Sequence, residues 1–265
     1  MGLSSPDTEI IAQTAKTIGD VKLKNAVDVL ISLLSSSNER VQFYAAEALG
    51  RIGSKKAVQP ILNLLEANND KDVYLRHAAV LALSRIGKVE PIAALASSFN
   101  RSLRIAAVLV LRRLKNPAVA QFLQDSDEYI VTEAARAIHD DESIPEALPA
   151  LAQTLAVSKW TNEALIRRAI NACLRVGTAK EIDLLVAYIQ RQDIPDALRA
   201  EGIATLGTWG NPSVLDRVDG RYRGTLDRKS SDVVAKVAGI IPIFLKSKNP
   251  EVLIATGTLI SELGI

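Results

Sequence analysis

The chain has 265 residues, 48% hydrophobic and only 4% aromatic, with 32 basic and 30 acidic side chains and a formal charge of +2. That near balance leaves no electrostatic footprint for nucleic-acid binding, and no apolar run approaches the ~18 residues of a membrane-spanning helix, so no direct membrane insertion is expected. The single cysteine, Cys173, excludes an internal disulfide and a cysteine metal cluster.

In chain order, Ser4-Ser5-Pro6-Asp7 reads as a helix cap with proline near the first turn. Two related segments follow, FYAAEALGRIG (Phe43 to Gly53) and YLRHAAVLALSRIG (Tyr74 to Gly87), 34 residues apart from Arg51 to Arg85. Fainter copies continue. Their first apolar positions are Val41, Leu75, Leu103, Ile130, Leu165 and Leu198, spaced by 34, 28, 27, 35 and 33 residues. Small or apolar residues recur four, seven and eight places later, as at Ala45, Ala48 and Leu49, which puts them on one helix face. Alanine there lets a neighbouring helix come close. Gly53, Gly87, Lys115-Asn116, Asp140-Asp141, Gly177 and Gly210 are predicted to end these helices.

A second amphipathic run lies between the copies, at Ala26 to Leu34, Ala57 to Leu65, Pro91 to Ser98, Pro149 to Ala156 and Glu181 to Ile189. Each unit is then helix, turn, helix, and stacking is needed to bury its apolar face. Val237 to Leu245 is predicted to be a buried helix kinked at Pro242, and Pro250 to Ile265 one further helix. The apolar end of that last helix is read as excision from a longer chain or as a docking face.

The segment Trp209 to Gly224 breaks the pattern. A short helix over Pro212 to Val218 is expected to lead into an Asp219-Gly220 turn. From Asp216 to Lys229 five basic residues meet three acidic ones, a local charge of +2. Trp209, Asp216, Arg217, Asp219, Arg221, Tyr222 and Arg223 form the candidate site. Arginine with aromatic residues marks interface hot spots, and the same residues can also serve as an internal lock through Arg–Asp pairs. Both readings stand at this level.

Elsewhere the sequence offers little chemistry. It lacks a phosphate-binding GxxxxGK[ST], the metal motif HExxH, the nucleophile motif GxSxG and CxxC. No catalytic, cofactor-binding or metal-binding residue is assigned, and no cofactor is expected. His77 reads as a surface or inter-repeat residue, and Cys173 as a small buried hydrophobe. His139 opens the run His139-Asp140-Asp141-Glu142, which fits a helix junction better than an ordered cation loop. Arg76, Arg104, Arg167 and Arg199 recur beside the apolar anchors and read as a ladder to acidic groups or carbonyls of an adjacent unit, or as an anion-binding row. Gln59, Asn63 and Glu66 are candidates to line a concave surface.

The Ala-rich first helices with ALxRIG endings resemble HEAT repeats, closest to the phycobilisome-lyase-like variety. This resemblance implies an all-α fold, a right-handed α-solenoid of stacked antiparallel helix pairs with roughly 7–8 repeats. It also implies one domain over residues 1–265, interrupted by a non-repeat insertion at about residues 210–230. WTNEALIRRAINACLRVG (Trp160 to Gly177) and WGNPSVLDRVDGRYRG (Trp209 to Gly224) are similar to the HEAT segment of large bacterial proteins classed as membrane-bound dehydrogenases. In those, a sorbosone-dehydrogenase-like propeller precedes the repeats and a c-type cytochrome domain follows. The chain has no CxxCH for haem attachment. The resemblance therefore implies a non-enzymatic scaffold that contacts a protein partner or flanking domains of an exported or periplasmic parent. Two alternatives remain: a bilin lyase or isomerase, and a contributor to redox catalysis only within the full parent.

Overall fold

The computed structural model describes residues 2–157 and 159–265. The described residues are helical apart from turns and one isolated β-bridge, and none of their helices is long and apolar enough to cross a membrane. The chain divides into two compact units, Met1–Phe122 and Leu123–Ile265. The division falls within a 3-10 stretch, Pro117–Gln124.

In the first unit the helices are α1 (Thr8–Asp20), α2 (Val27–Leu33), α3 (Glu39–Ile52), α4 (Val58–Asn68), α5 (Val73–Ile86), α6 (Glu90–Ala93) and α7 (Arg101–Arg113). The first helices of the repeats pack in succession, α1 on α3, α3 on α5 and α5 on α7. The shorter second helices flank them, with α2 against α3, α4 against α5 and α6 against α7. The run expected over Pro91 to Ser98 is α6 continued by a 3-10 turn over Ala94–Ser97.

The close spacing has a visible cause. A Cβ built on Gly50 would lie 2.5 Å from the Cα of Ala82, and one on Gly19 would lie 2.7 Å from the Cα of Ala48. Small residues at these crossings set the helices backbone to backbone. The core between the layers is aliphatic, including Leu30, Leu49, Ile61, Leu83 and Leu111, all fully buried. Each such side chain contributes about 1.5–3 kcal/mol of transfer free energy.

In the second unit the helices are α8 (Glu128–His139), α9 (Leu148–Gln153), α10 (Glu163–Val176), α11 (Ala179–Gln190), α12 (Asp196–Gly207), α13 (Ser231–Val237), α14 (Ile241–Phe244) and α15 (Pro250–Leu263). Here α8, α10, α12 and α15 pack in succession, with α9 and α11 on their flank. Val237 to Leu245 is not one kinked helix. A turn at residues 238–240 separates α13 from α14, Pro242 sits in the first turn of α14, and Ile243 and Leu245 are exposed. Proline tolerates a first turn, where no N–H is needed, better than a helix interior.

The helix ends explain the repeat. Asn38, Asp72, Asn100, Asp127, Asn162 and Asn249 each stand three residues before a buried anchor, Asp7 stands three before the exposed Ile10, and each of these side chains accepts a backbone N–H of the helix it opens. The cap at the first helix is Asp7, with Pro6 outside it. Gly53, Gly87 and Gly177 close α3, α5 and α10 in the left-handed conformation. Gly210 does not close a helix. The cap of α12 is Thr208, and a Cβ at Gly210 would meet the Oγ of Ser230 at 2.2 Å and the carbonyl of Arg228 at 3.0 Å.

Candidate functional site

Between α12 and α13, residues 208–230 form no helix, and they carry the candidate residues. Trp209 is buried, with the Arg228 guanidinium 4.4 Å from its ring centroid. Arg228 Nε donates to the Trp209 carbonyl at 2.8 Å, and Nη2 donates to the Leu174 carbonyl. The same guanidinium lies against Gly177, where a Cβ would meet Nη1 at 1.5 Å. Gly177 thus serves both the end of α10 and the seat of Arg228.

The expected helix over Pro212 to Val218 is absent. Leu215 and Tyr222 instead form an antiparallel bridge. Asp216 N donates to the Arg221 carbonyl and Arg223 N to the Val214 carbonyl, both at 2.8 Å. The physical reason is Asp216. Its Oδ1 accepts from Val218 N at 2.8 Å and Asp219 N at 3.3 Å, so the side chain takes the donors of a turn and the chain folds back. The predicted Asp219-Gly220 turn is present, with Gly220 at φ 71° and its N–H on the Asp216 carbonyl.

This hairpin is fastened to the end of α8. Arg223 Nε donates to Asp216 Oδ2 at 3.2 Å and Nη2 to Asp219 Oδ2 at 2.7 Å. Its remaining donors reach the carbonyls of Asp141 at 2.7 Å and His139 at 3.0 Å. One guanidinium therefore satisfies two carboxylates and the free carbonyls at a helix C-terminus, where a cation is favoured. Arg221 adds an exposed pair with Asp141 at 2.9 Å. Arg217 makes a bidentate pair with Glu201, both contacts at 3.0 Å, and its carbonyl accepts from Arg167 Nη2. Of the seven candidates, Trp209, Asp216, Asp219 and Arg223 face inward, Arg217 lies along α12, and Arg221 and Tyr222 face solvent.

The centre of this network is His139, which sequence reasoning placed at a simple helix junction. Its ring is fully buried. Nδ1 lies 3.1 Å from Asp140 Oδ1, and Nε2 lies 3.0 Å from Asn171 Oδ1 and 3.3 Å from Asp216 Oδ2. Burial opposes the ring's charge, but Asp140 and Asp216 outweigh it, and the pKa is raised. Asp140 is held bidentately by Arg168 at 2.7 and 2.9 Å. Against the opposing effect of burial, His139 and Arg168 lower its pKa to about 2. Asp216 is lowered further by His139 and by the two backbone donors, again against burial. His139, Asp140 and Asp219 do gather potential ligand atoms within 4.8 Å of one another. Guanidinium groups already sit on both carboxylates, so the local charge opposes a cation.

Three arginines of the row make local contacts and one does not. Arg76 pairs with Asp70 at 2.7 Å, Arg104 donates to the Ser98 carbonyl at 2.9 Å, and Arg199 donates to the Ile189 carbonyl in the last turn of α11. Arg167 instead reaches a carbonyl of the hairpin, that of Arg217, as the ladder reading expected. Cys173 is buried, and burial pushes its thiol pKa up. His77, Gln59, Asn63 and Glu66 are exposed.

The first unit presents a different surface. Arg40, Phe43 and Tyr44 of α3 and Tyr74 of α5 line an open cleft of about 400 Å³. Tyr74 is 73% exposed and Phe99, ahead of α7, is fully exposed. Arg40 lies 5.3 Å from the Tyr44 ring centroid, and Phe43 meets Tyr44 edge to face at 5.2 Å. Although aromatic residues are only 4% of the chain, FY at positions 43–44 and VYL at 73–75 stand in the two strongest repeats.

Residues 2–83 match the family of HEAT repeats. No curated protein sequence matches the chain. Among solved structures, an engineered protein is 17% identical with a TM-score of 0.48, covering 98% of this chain and 76% of its own. The CpcE–CpcF complex of phycocyanin lyase from a Nostoc species is 18% identical with a TM-score of 0.39, covering 99% and 92%. Human deoxyhypusine hydroxylase in complex with glycerol is 14% identical with a TM-score of 0.36, covering 99% and 93%. Residues 2–83 thus carry HEAT repeats, and the described residues of the whole chain are all-α.

Proposed function

We propose that the chain is a non-enzymatic protein-interaction scaffold and that its first unit makes the principal contact. The observation that carries this reading is one open cleft lined by exposed Tyr74, half-buried Tyr44 and exposed Arg40, which also pairs with Glu9. Tyrosine and arginine supply much of the binding energy at protein interfaces. The dense charge cluster of the second unit supports the same division of labour. Its histidine, carboxylates and guanidinium groups are engaged with one another and with backbone carbonyls.

The test is cross-linked affinity enrichment with the wild type and a Tyr44→Ala/Tyr74→Ala variant. Loss of the same specific partners from the variant, at unchanged melting temperature, is the expected result. Identical partner profiles sink the proposal.

The finer reading places this scaffold between a propeller and a cytochrome domain in an exported bacterial dehydrogenase. It rests on the segments Trp160 to Gly177 and Trp209 to Gly224. Reading the genomic frame on both sides of these residues tests it, since a parent with neither companion domain removes it.

A further inference from the structure

The last helix repeats the charge pattern of the first. Asp7 caps α1 and Asn249 caps α15. Two and thirteen places after the cap stand Glu9 and Asp20 in α1, and Glu251 and Glu262 in α15. Acids eleven places apart lie about three helical turns apart, along one edge of the helix. Between them, at matching places, α1 has Ala12, Ala15 and Gly19, and α15 has Ile254, Gly257 and Ser261.

In α1 this face is occupied. Ala12, Ala15 and Gly19 are buried, and α3 comes so close that a Cβ on Gly19 would lie 2.7 Å from the Cα of Ala48. Both acids receive arginines of α3 that stand at the same places from its own cap, Asn38. Arg40 Nε lies 2.8 Å from Glu9 Oε2, and Arg51 Nη1 lies 2.6 Å from Asp20 Oδ1. In α15 the corresponding face is open. One side of α15 packs on α12, where a Cβ on Gly207 would lie 3.0 Å from the Cα of Leu259. On the other side Ile254 is 70% exposed, Gly257 and Ser261 are exposed, and a Cβ on Gly257 would meet nothing within 4 Å. Glu251 and Glu262 are exposed and have no ionic partner among the described residues.

We infer that this face of α15 docks an α-helix of a partner protein built on the pattern of α3, with basic residues eleven places apart and small or apolar residues between them. Ile254 supplies the apolar burial, while Gly257 and Ser261 let the partner backbone approach. Charge selects the occupant. A second copy stacked through its α1, in the register of α1 on α3, would set Glu9 and Asp20 against Glu251 and Glu262. Two α15 helices packed antiparallel would set Glu251 against Glu262. Both arrangements juxtapose like charges, whereas a helix with the α3 pattern matches both acids. The inference goes beyond the scaffold reading and does not depend on the Tyr44–Tyr74 cleft.

The test titrates the full chain with a fluorescent peptide copying Asn38 to Gly53. A lactam between Ala46→Lys and Gly50→Asp, on the face turned away from Val41 and Ala48, holds it helical. Anisotropy gives the affinity, and the amide resonances of Gly257 and Ser261 give the place. Saturable binding that moves both resonances is expected. Gly257→Phe, which fills the open face, is expected to weaken binding roughly tenfold or more at unchanged melting temperature. Glu251→Arg/Glu262→Arg is expected to weaken it similarly, and a peptide carrying Arg40→Glu/Arg51→Glu to restore it. Tyr44→Ala/Tyr74→Ala is expected to leave it unchanged, so this face and the cleft stand or fall separately. No saturation with the wild type, unmoved Gly257 and Ser261 resonances, or no rescue by the charge-reversed peptide overturns the proposal. Sedimentation supplies a further check, since a dimer of the chain abolished by Gly257→Phe would give the face to a second copy and overturn the chosen occupant.

Discussion

His139 Nε2 at the end of α8 lies 3.3 Å from Asp216 Oδ2 in the hairpin, with both side chains essentially buried. This contact ties the segment that breaks the repeat to a helix well before it in the chain. It makes the hairpin part of the second unit's architecture, and it decides how two neighbouring arginines differ.

Arg223→Ala is expected to destabilise the second unit by about 3–5 kcal/mol, because it strips a partner from buried Asp216 and leaves carbonyls of α8 unsatisfied. Arg221→Ala removes a pair whose side chains are both more than half exposed, so its effect stays below about 1 kcal/mol. Urea denaturation of the two variants makes the comparison. Equal effects would remove the lock.

The same contact sets a pH dependence. The pKa of His139 is raised in the folded state, so its contribution is fully present below the unfolded value of about 6.5 and is lost as pH rises through the folded value. Asp140 runs the other way. Its pKa falls from 3.8 to about 2, so its contribution is present above 3.8 and is lost as pH falls towards 2. The groups facing this ring are Asp140, Asn171 and Asp216, with Arg168 and Arg223 behind the carboxylates. Stability is expected to be greatest between about pH 4 and 6.5. His139→Gln is expected to be less stable by about 3 kcal/mol at pH 5.5, with the gap narrowing as pH rises. Thermal melts of both proteins across pH 4–9 read this, and a constant gap would contradict it.

The capping residues offer a milder test. Asn162 Oδ1 accepts the Leu165 N–H at 3.2 Å, and the Glu128 carboxylate accepts the Thr161 and Asn162 N–H groups at 2.9 Å. Asn162→Ala is expected to lower stability by about 1 kcal/mol, and Asn162→Asp to leave it nearly unchanged. Chemical denaturation distinguishes the two, and an equal loss would mean that the oxygen's cap is irrelevant.

These caps also show what was legible in the sequence. Helix faces such as Ala45, Ala48 and Leu49 follow from periodicity alone, and the aliphatic stack follows from them. The Asp or Asn three places before each anchor is equally local, and it extends the register to Asp7 and Asn249, beyond the copies found by similarity. The hairpin was harder to read. Pro212 to Val218 has helical spacing, and only the capture of Val218 and Asp219 N–H groups by Asp216 turns it back. The partners of His139 and Arg223 lie 77 and 84 residues away in Asp216 and His139, and no local pattern carries that distance. The arginines of the candidate site were visible as a cluster, but which of them face inward is a property of packing.

Gly50 and Gly257 give the last and sharpest comparison, because both are glycines inside long first helices. Alanine is favoured over glycine there by about 1 kcal/mol from helix propensity alone. At Gly257 of α15 a new Cβ meets nothing within 4 Å, so Gly257→Ala is expected to stabilise by up to about 1 kcal/mol. At Gly50 of α3 the Cβ would lie 2.5 Å from the Cα and 2.8 Å from the Cβ of Ala82. Neither atom is the flexible tip of a side chain, so α3 and α5 must move apart. Such overpacking costs about 1–3 kcal/mol, enough to cancel or exceed the propensity gain. Gly50→Ala is therefore expected to be neutral to destabilising, and Gly50→Val, with more bulk and a stiffer side chain, clearly destabilising. Urea midpoints of the three variants test whether backbone proximity, rather than helix propensity, governs the repeat stack. A stabilising Gly50→Ala would show that α3 and α5 are not held as close as 2.5 Å implies.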